Sequence, residues 1–342
     1  MLIDLNGDQV RQMINTEQAF EALRAAQAER ARRFAGSMAW KRVGGRDYLY
    51  RKTNGVWKSL GPRSPEAEQA MEAFKSGRAG AKARIAALDE TLRGMAPVNR
   101  AMRLGRVPWT AARLLRKLDG GNLLGKGLSV AGTYALFAYE RMAAAHFEAS
   151  HIATNDIDLL YDARRSLRLI GPAGQDEGLK GLLDAVDSSF QLLIPGGYRA
   201  VNEQGFMVDL ITPLPLNPGI SAAARIGEGE AAMAAAEIAG LDWLRDCPQV
   251  QQIAIDERGY PVPLSAPDPR AFALHKLWVS QRPDRDPGKA RRDIAQARAV
   301  AGLVSRYLPH LRIDDPALAA LPAALRDRWS ELAARPVQEE NW

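Results

Sequence analysis

The sequence predicts an α+β protein: a mixed sheet flanked by helices at the centre, a basic region of helices and a β-meander before it, and a helical C-terminal region after it. Three observations predict this. Apolar residues recur at helical spacing in long stretches towards both ends of the chain. Short runs bounded by Pro-Gly, Gly-Gly and Asn-Gly turns occupy residues 38–60 and 191–212. Between them, Leu128 to Leu160 reads as strand, tight turn, helix, strand.

The chain has 342 residues, enough for two domains or one core with extensions. We divide it into residues 1–120, 121–265 and 266–342. No apolar run approaches the ~20 residues needed to cross a bilayer. The opening MLIDLNGDQV has no basic segment followed by an apolar one. Cys247 is the single cysteine, which excludes an internal disulfide and a cysteine-based zinc motif. A cytoplasmic protein without membrane partners is the expectation. Net charge is +6, but residues 1–126 hold 24 Lys and Arg against 12 Asp and Glu, while the remainder holds 22 against 28. That asymmetry favours a polyanionic partner for the N-terminal part; solvated helix faces are the alternative.

Taken in order, Thr16 to Phe34 is expected to be helical. Thr16 can cap it, and Ala19, Phe20, Leu23, Ala26, Ala31 and Phe34 form an apolar stripe. Residues 38–64 read as a three-stranded meander turning at Gly44-Gly45 and Asn54-Gly55. In it Trp40, Tyr48, Tyr50 and Trp57 are interleaved with Lys41, Arg42, Arg46, Arg51, Lys52 and Lys58. Aromatics among cations suit stacking on bases and neutralising phosphates. Trp40, Lys41, Arg42, Arg46, Tyr48, Arg51, Lys52 and Lys58 are therefore the candidate nucleic-acid contacts. The alternative is that the rings pack on a neighbouring helix while the cations stay in water.

Ser64-Pro65 opens a helix to about Arg93, with Glu66 and Glu68 in its first turn, and Pro97 is expected to interrupt it. Pro108 to Leu118 reads as a basic amphipathic segment ended by Asp119-Gly120-Gly121-Asn122. Leu128–Ala131 is the first central strand, Gly132-Thr133 the turn, Tyr134 to Phe147 the helix, and Thr154 to Leu160 the second strand. On that strand Asp156 and Asp158 project from one face, Ile157 and Leu159 from the other. Two adjacent carboxylates repel and resist desolvation, and a divalent cation relieves both.

Ser166 to Ile170 is read as continuing or following this strand, Gly171 to Gly174 as a loop, and Asp176 to Phe190 as a helix. Strands are expected at Gln191–Ile194, Tyr198–Asn202 and Gly205–Thr212. Asp209 is the one charge in Phe206–Ile211; burying it bare costs on the order of several kcal/mol, so it needs a partner, either metal or arginine. Residues 217–250 give no clear pattern. Gln251–Ile255 and Tyr260–Leu264 suggest a hairpin, Asp268-Pro269 starts a helix reaching Trp278, a second helix begins near Ala290, and more fill 314–335.

The order of Gly-Thr turn, helix, Asp-x-Asp strand, later strand Asp and Lys-bearing helix resembles the nucleotidyltransferase superfamily, the polymerase-β-like fold. It looks closer still to the AbiEii/MenT-type toxin branch, over roughly residues 125–300. The resemblance implies a nucleotidyltransferase-like core in residues 121–265. It implies two Mg²⁺ or Mn²⁺ ions, both on Asp156 and Asp158, with Asp209 completing the acceptor-side ion and helping to deprotonate the attacking group, and an NTP as substrate. Phosphates would lie at Gly132 and Thr133, Lys276 would meet the triphosphate, and Arg292 and Asp293 match the branch's last motif. The turn reads Ala-Gly-Thr where the family usually has Gly-Gly or Gly-Ser, and the threonine keeps the hydroxyl.

The functional expectation is metal-dependent transfer of a nucleoside monophosphate from an NTP to an acceptor, with tRNA-like RNA favoured by the basic N-terminal third. The toxin branch further implies an antitoxin protein or RNA as partner. The alternatives are the same chemistry on a protein or small-molecule hydroxyl, and an inactive nucleic-acid-binding regulator with this fold.

Overall fold

A computed structural model describes residues 2–165, 178–215, 224–229 and 232–333. The chain forms two compact units, one of residues 1–10, 105–257 and 262–342, the other of residues 11–104 and 258–261. These units divide the chain at other points than 120 and 265. Helix Trp109–Gly120 and the C-terminal helices fall in the same unit as the central sheet.

In the smaller unit, a meander of Ser37–Val43, Arg46–Thr53 and Val56–Pro62 lies between two long helices in the chain. Leu49 is fully buried beneath it, and the Phe34 and Phe74 rings, 6.0 Å apart, come from the two helices. The first helix starts at Gly7 rather than Thr16. Asn6 and Gln9 cap it reciprocally, each side-chain oxygen accepting the other's backbone N–H at 2.9 Å. Thr16 is instead buried inside the helix, its hydroxyl donating to the Gln12 carbonyl.

The second helix is capped by Ser64, whose hydroxyl accepts from the Ala67 N–H at 3.2 Å. It runs through Pro97 to Ala101, contrary to the expected interruption. Proline removes its own bond in the ladder and crowds the carbonyl four residues back, a cost that packing must offset. Burial of Leu92, Ala96 and Asn99 around it holds the helix on course.

The larger unit is built on a six-stranded mixed sheet. Leu128–Ala131 runs antiparallel to Asp156–Tyr161, which runs parallel to Met207–Pro213. Arg199–Val201 pairs antiparallel with the start of Met207–Pro213, and Gln191–Leu192 follows outside it. Ala236–Ile238 pairs parallel with the far end of Met207–Pro213. Ile157, Leu159, Val208 and Leu210 are fully buried and anchor the sheet in one continuous core. The α+β architecture is the one expected.

The expected helix from Tyr134 to Phe147 is shorter. Gly132–Tyr134 is a 3-10 turn, the helix spans Ala135–Ala143, and Ala145–Phe147 pairs antiparallel with Leu2–Asp4. Gln249–Ile255 and Pro261–Pro267 form the expected hairpin, and helices Pro269–Ser280 and Pro287–Tyr307 follow. The strand and loop expected over 166–174, the start of the helix expected from Asp176, and residues 216–223 lie outside the described residues. Among the described residues, no helix is long and apolar enough to cross a membrane.

Candidate active site

The parallel pairing puts Asp209 directly beside Asp158, and the antiparallel pairing on the other side puts Ala131 beside Asp158. Neighbouring residues of paired strands point to the same side of a sheet, and Asp156 shares that side by its spacing of two. Three strands thus bring Asp156, Asp158, Asp209 and the turn after Ala131 together. The turn begins at Gly132, whose φ of +58° is costly for any side chain. A Cβ there would lie 2.0 Å from Asp158 Oδ2, so the missing side chain is the space the carboxylate occupies.

The two C-terminal helices close on this corner. Helix Pro269–Ser280 is capped by Asp268, which accepts from the Arg270 N–H and side chain, both partners being buried. From its middle, Lys276 Nζ donates to Asp293 Oδ1 at 2.7 Å. Arg285 donates to the other oxygen of Asp293 at 2.8 Å, so a carboxylate only 2% exposed serves two cations. From helix Pro287–Tyr307, Arg292 and Gln296 both donate to Thr133 Oγ1, at 2.9 and 3.1 Å. Arg292 also holds the Ala153 carbonyl and Gln296 that of His151. The pair therefore ties the Gly-Thr turn to the segment that leads into the Asp-x-Asp strand.

Burial pushes the Asp158 carboxyl up to about 6; Asp156 adds to this and Lys276 opposes it, with smaller effects from Asp209 and Arg199. Asp156 accepts a short hydrogen bond from the Thr154 hydroxyl. Tyr134, fully buried on the 3-10 turn, has a hydroxyl with no partner among the described residues. Burial first, then the charges of Asp156 and Glu257, raise it well above the usual phenol range. His275, next to Lys276, is buried against Trp243 and Trp278, and burial drives it down to about 3, so it is neutral.

Asp209 does not stand open. Arg199 lies directly across from it on the antiparallel strand and donates through Nε to Oδ1 at 2.7 Å and through Nη2 to Oδ2 at 2.5 Å. Among the described residues, no group of three His, Cys, Asp or Glu side chains has the geometry of a metal site. All the residues expected here, Gly132, Thr133, Asp156, Asp158, Asp209, Lys276, Arg292 and Asp293, fall into one hydrogen-bonded and electrostatic neighbourhood. Sequence reasoning missed Arg199, Arg285 and Gln296. Gln296 sits one turn after Arg292, which its spacing signalled. Arg199 was hidden by the turn length, as the turn closed by Asn202 and Phe206 sets 199 opposite 209, one residue off the register of the expected strands.

In the smaller unit the eight candidate nucleic-acid residues divide between two faces of the meander. Register puts Trp40, Arg42, Arg51 and Lys58 on the side of Leu49. There Arg51 covers the Phe74 ring and donates to the Arg33 carbonyl, so its polar end is engaged. Lys41, Arg46, Tyr48 and Lys52 share the other face with Tyr50 and Trp57. Lys41 Nζ stands 3.7 Å from the centre of the Trp57 ring and 5.2 Å from that of Tyr50.

No curated protein and no solved structure matched this chain. A family model, described as nucleotidyltransferase, matches residues 110–322, which include the strands and helices that carry Gly132, Asp156, Asp158, Asp209, Lys276 and Arg292 but not the meander. With more than half of its length matched, the chain belongs to the nucleotidyltransferase family, enzymes that move a nucleotidyl group from an NTP to an acceptor.

Proposed function

We propose that this chain carries out nucleotidyl transfer at the Asp156–Asp158 corner, with one divalent cation, Mg²⁺ or Mn²⁺, and a single-stranded nucleic acid, RNA in preference, as acceptor. The observation that carries the reading is the gap at Gly132. A glycine forced into positive φ, with its missing Cβ replaced by a carboxylate oxygen, sets the Gly-Thr turn directly against Asp158, two residues along the strand from Asp156. The donor set suits a hard cation, since Mg²⁺ is commonly held by one or two carboxylates plus substrate phosphate oxygens. Burial first, and then the neighbouring Asp156 carboxylate, raise the proton affinity of Asp158, and a bound cation would relieve both.

The remaining steps fall to this chain's own groups. Gly132 lets the turn close on Asp158, and Thr133 is held in place by Arg292 and Gln296. Lys276 and Arg292 supply fixed positive charge where the transition state gathers negative charge. The cation, when bound, neutralises phosphate oxygens and orients the α-phosphate for in-line attack. The outer face of the meander, with Tyr48, Tyr50 and Trp57 beside Lys41 and Lys52, offers rings for bases and cations for phosphates.

Label from each α-³²P-NTP in turn, offered with total RNA and with total protein, tests the reading. RNA labelling that Asp156→Asn or Asp158→Asn abolishes supports it. Labelling of protein alone would move the acceptor to a protein hydroxyl. Transfer unaffected by both substitutions would overturn the site. A toxin role, with an antitoxin as partner, rests on the AbiEii/MenT resemblance and predicts growth arrest on expression that Asp156→Asn relieves.

A further inference from the structure

We infer that Arg199 takes the charge position of a second metal ion: the centre binds one divalent cation on Asp156 and Asp158, and the Arg199 guanidinium holds Asp209 in place of another. The inference rests on the proposed cation site, and goes beyond it by assigning a role to Arg199 and withdrawing Asp209 from the ligand set.

The pair is built into the fold. Arg199 and Asp209 are register partners on adjacent antiparallel strands. The turn that sets the register is pinned by Asn202, itself buried. Its Oδ1 accepts the Gln204 and Phe206 N–H groups at 3.1 and 2.8 Å, and its amide donates to Asp187 at 3.0 Å. Slipping the hairpin by one residue would turn Arg199 and Asp209 to opposite faces of the sheet, so that turn keeps them paired.

The fork geometry is the strong form of this interaction. Both carboxylate oxygens are engaged, at 2.7 and 2.5 Å, by a group that does not lose its proton in a protein. The Asp209 side chain is 7% exposed, so a divalent cation approaching it would meet a guanidinium in a low-dielectric corner rather than a free carboxylate. Among the described residues, Asp156 and Asp158 have no such fork. Lys276, the cation nearest to them in effect on Asp158, is itself bonded to Asp293. The corner therefore separates into one part with uncompensated negative charge, which attracts a cation, and one part already neutral.

Mn²⁺ titration of the full chain, read by loss of the free-ion EPR signal, tests this with the chain in excess over α,β-methylene analogues of the four NTPs in turn. The expected result is one Mn²⁺ per chain–nucleotide complex, lost in Asp156→Asn. Arg199→Met should gain a second ion, and Arg199→Met combined with Asp209→Asn should return to one. Two ions on the unsubstituted chain, or one ion on Arg199→Met, would overturn the role of Arg199. The count on the unsubstituted chain decides the matter even if Arg199→Met does not fold. Two ions that are both lost in Asp156→Asn would refute this inference alone. An ion that survives Asp156→Asn and Asp158→Asn would refute the proposed cation site beneath it.

Discussion

Asp158→Asn should stabilise the metal-free protein while abolishing transfer. The carboxyl of Asp158 is held at about 6 against an ordinary 3.8, a rise caused by burial and by Asp156. Each unit corresponds to about 1.4 kcal/mol, so ionising Asp158 in the folded state costs about 3 kcal/mol relative to the unfolded chain. The sign follows from proton binding. Between 3.8 and about 6 the folded chain holds the proton that the unfolded chain has released, so stability falls as pH rises through that window. Above it the full cost is present, and below it the cost vanishes. Asparagine removes the charge and keeps the shape. Urea unfolding in EDTA should therefore show a gain of about 2–3 kcal/mol at about pH 8, shrinking as pH falls towards 4. Added Mg²⁺ should narrow the difference, because it stabilises only the chain that keeps both carboxylates. A variant no more stable than its parent at about pH 8, or a gain independent of pH, would refute the reasoning.

Gly132→Ala should cost at least about 1 kcal/mol from the positive φ alone, and should abolish label transfer because Asp158 must move to make room; unchanged transfer counts against the site. Asp293→Asn should destabilise by about 3–5 kcal/mol in urea, since it strips two cations of their buried carboxylate. Lys276→Met, which leaves Arg285 on Asp293, should cost less, and the reverse order would contradict the network. Trp57→Ala should weaken binding of a fluorescent oligouridylate by about 1–3 kcal/mol in anisotropy, whereas Arg51→Ala should leave the salt dependence unchanged. The Cys247 thiol, pushed up to about 12 chiefly by burial, should react with Ellman's reagent only on unfolding.

The central strand–turn–helix–strand unit was legible because two periodicities meet there: Asp156 and Asp158 alternate with buried Ile157 and Leu159, and a glycine marks the turn. The helix carrying Lys276 was legible from its Asp-Pro start, and Asp268 does cap it; the helix carrying Arg292 was expected only from near Ala290, whereas it begins at Pro287 with Asp286 as its cap. Other features depend on contacts that no local pattern announces. Arg285 lies in a loop and reaches Asp293 only once two helices have packed. The Pro97 helix survives because residues far along the chain bury its flanks. In the meander, alternation separated two faces, but which face is covered depends on where Phe74 lies. The Arg199–Asp209 pairing sits between these cases. Both strands were visible, but the two-residue turn expected at Glu203-Gln204 would pair 199 with 208; the turn closed by Asn202 and Phe206 is one residue longer and pairs 199 with 209.

The charges of the site show why so polar a corner can lie within a core. Asp293 is matched by Lys276 and Arg285, and Asp209 by Arg199. Arg292, bonded only to Thr133 and a carbonyl among these groups, contributes a further cation beside the turn. A buried carboxylate with a forked or doubled partner is tolerable, because each lone charge would cost several kcal/mol while the pair comes close to balance. Asp156 and Asp158 are the exception, two like charges on one strand with no arginine of their own. Replacing them with neutral residues would ease folding, so the pair costs stability that the proposed cation would offset. A cation accompanied by a triphosphate, as proposed above, would meet both demands at once, its positive charge balancing the carboxylates while Arg292 and Lys276 balance the phosphates.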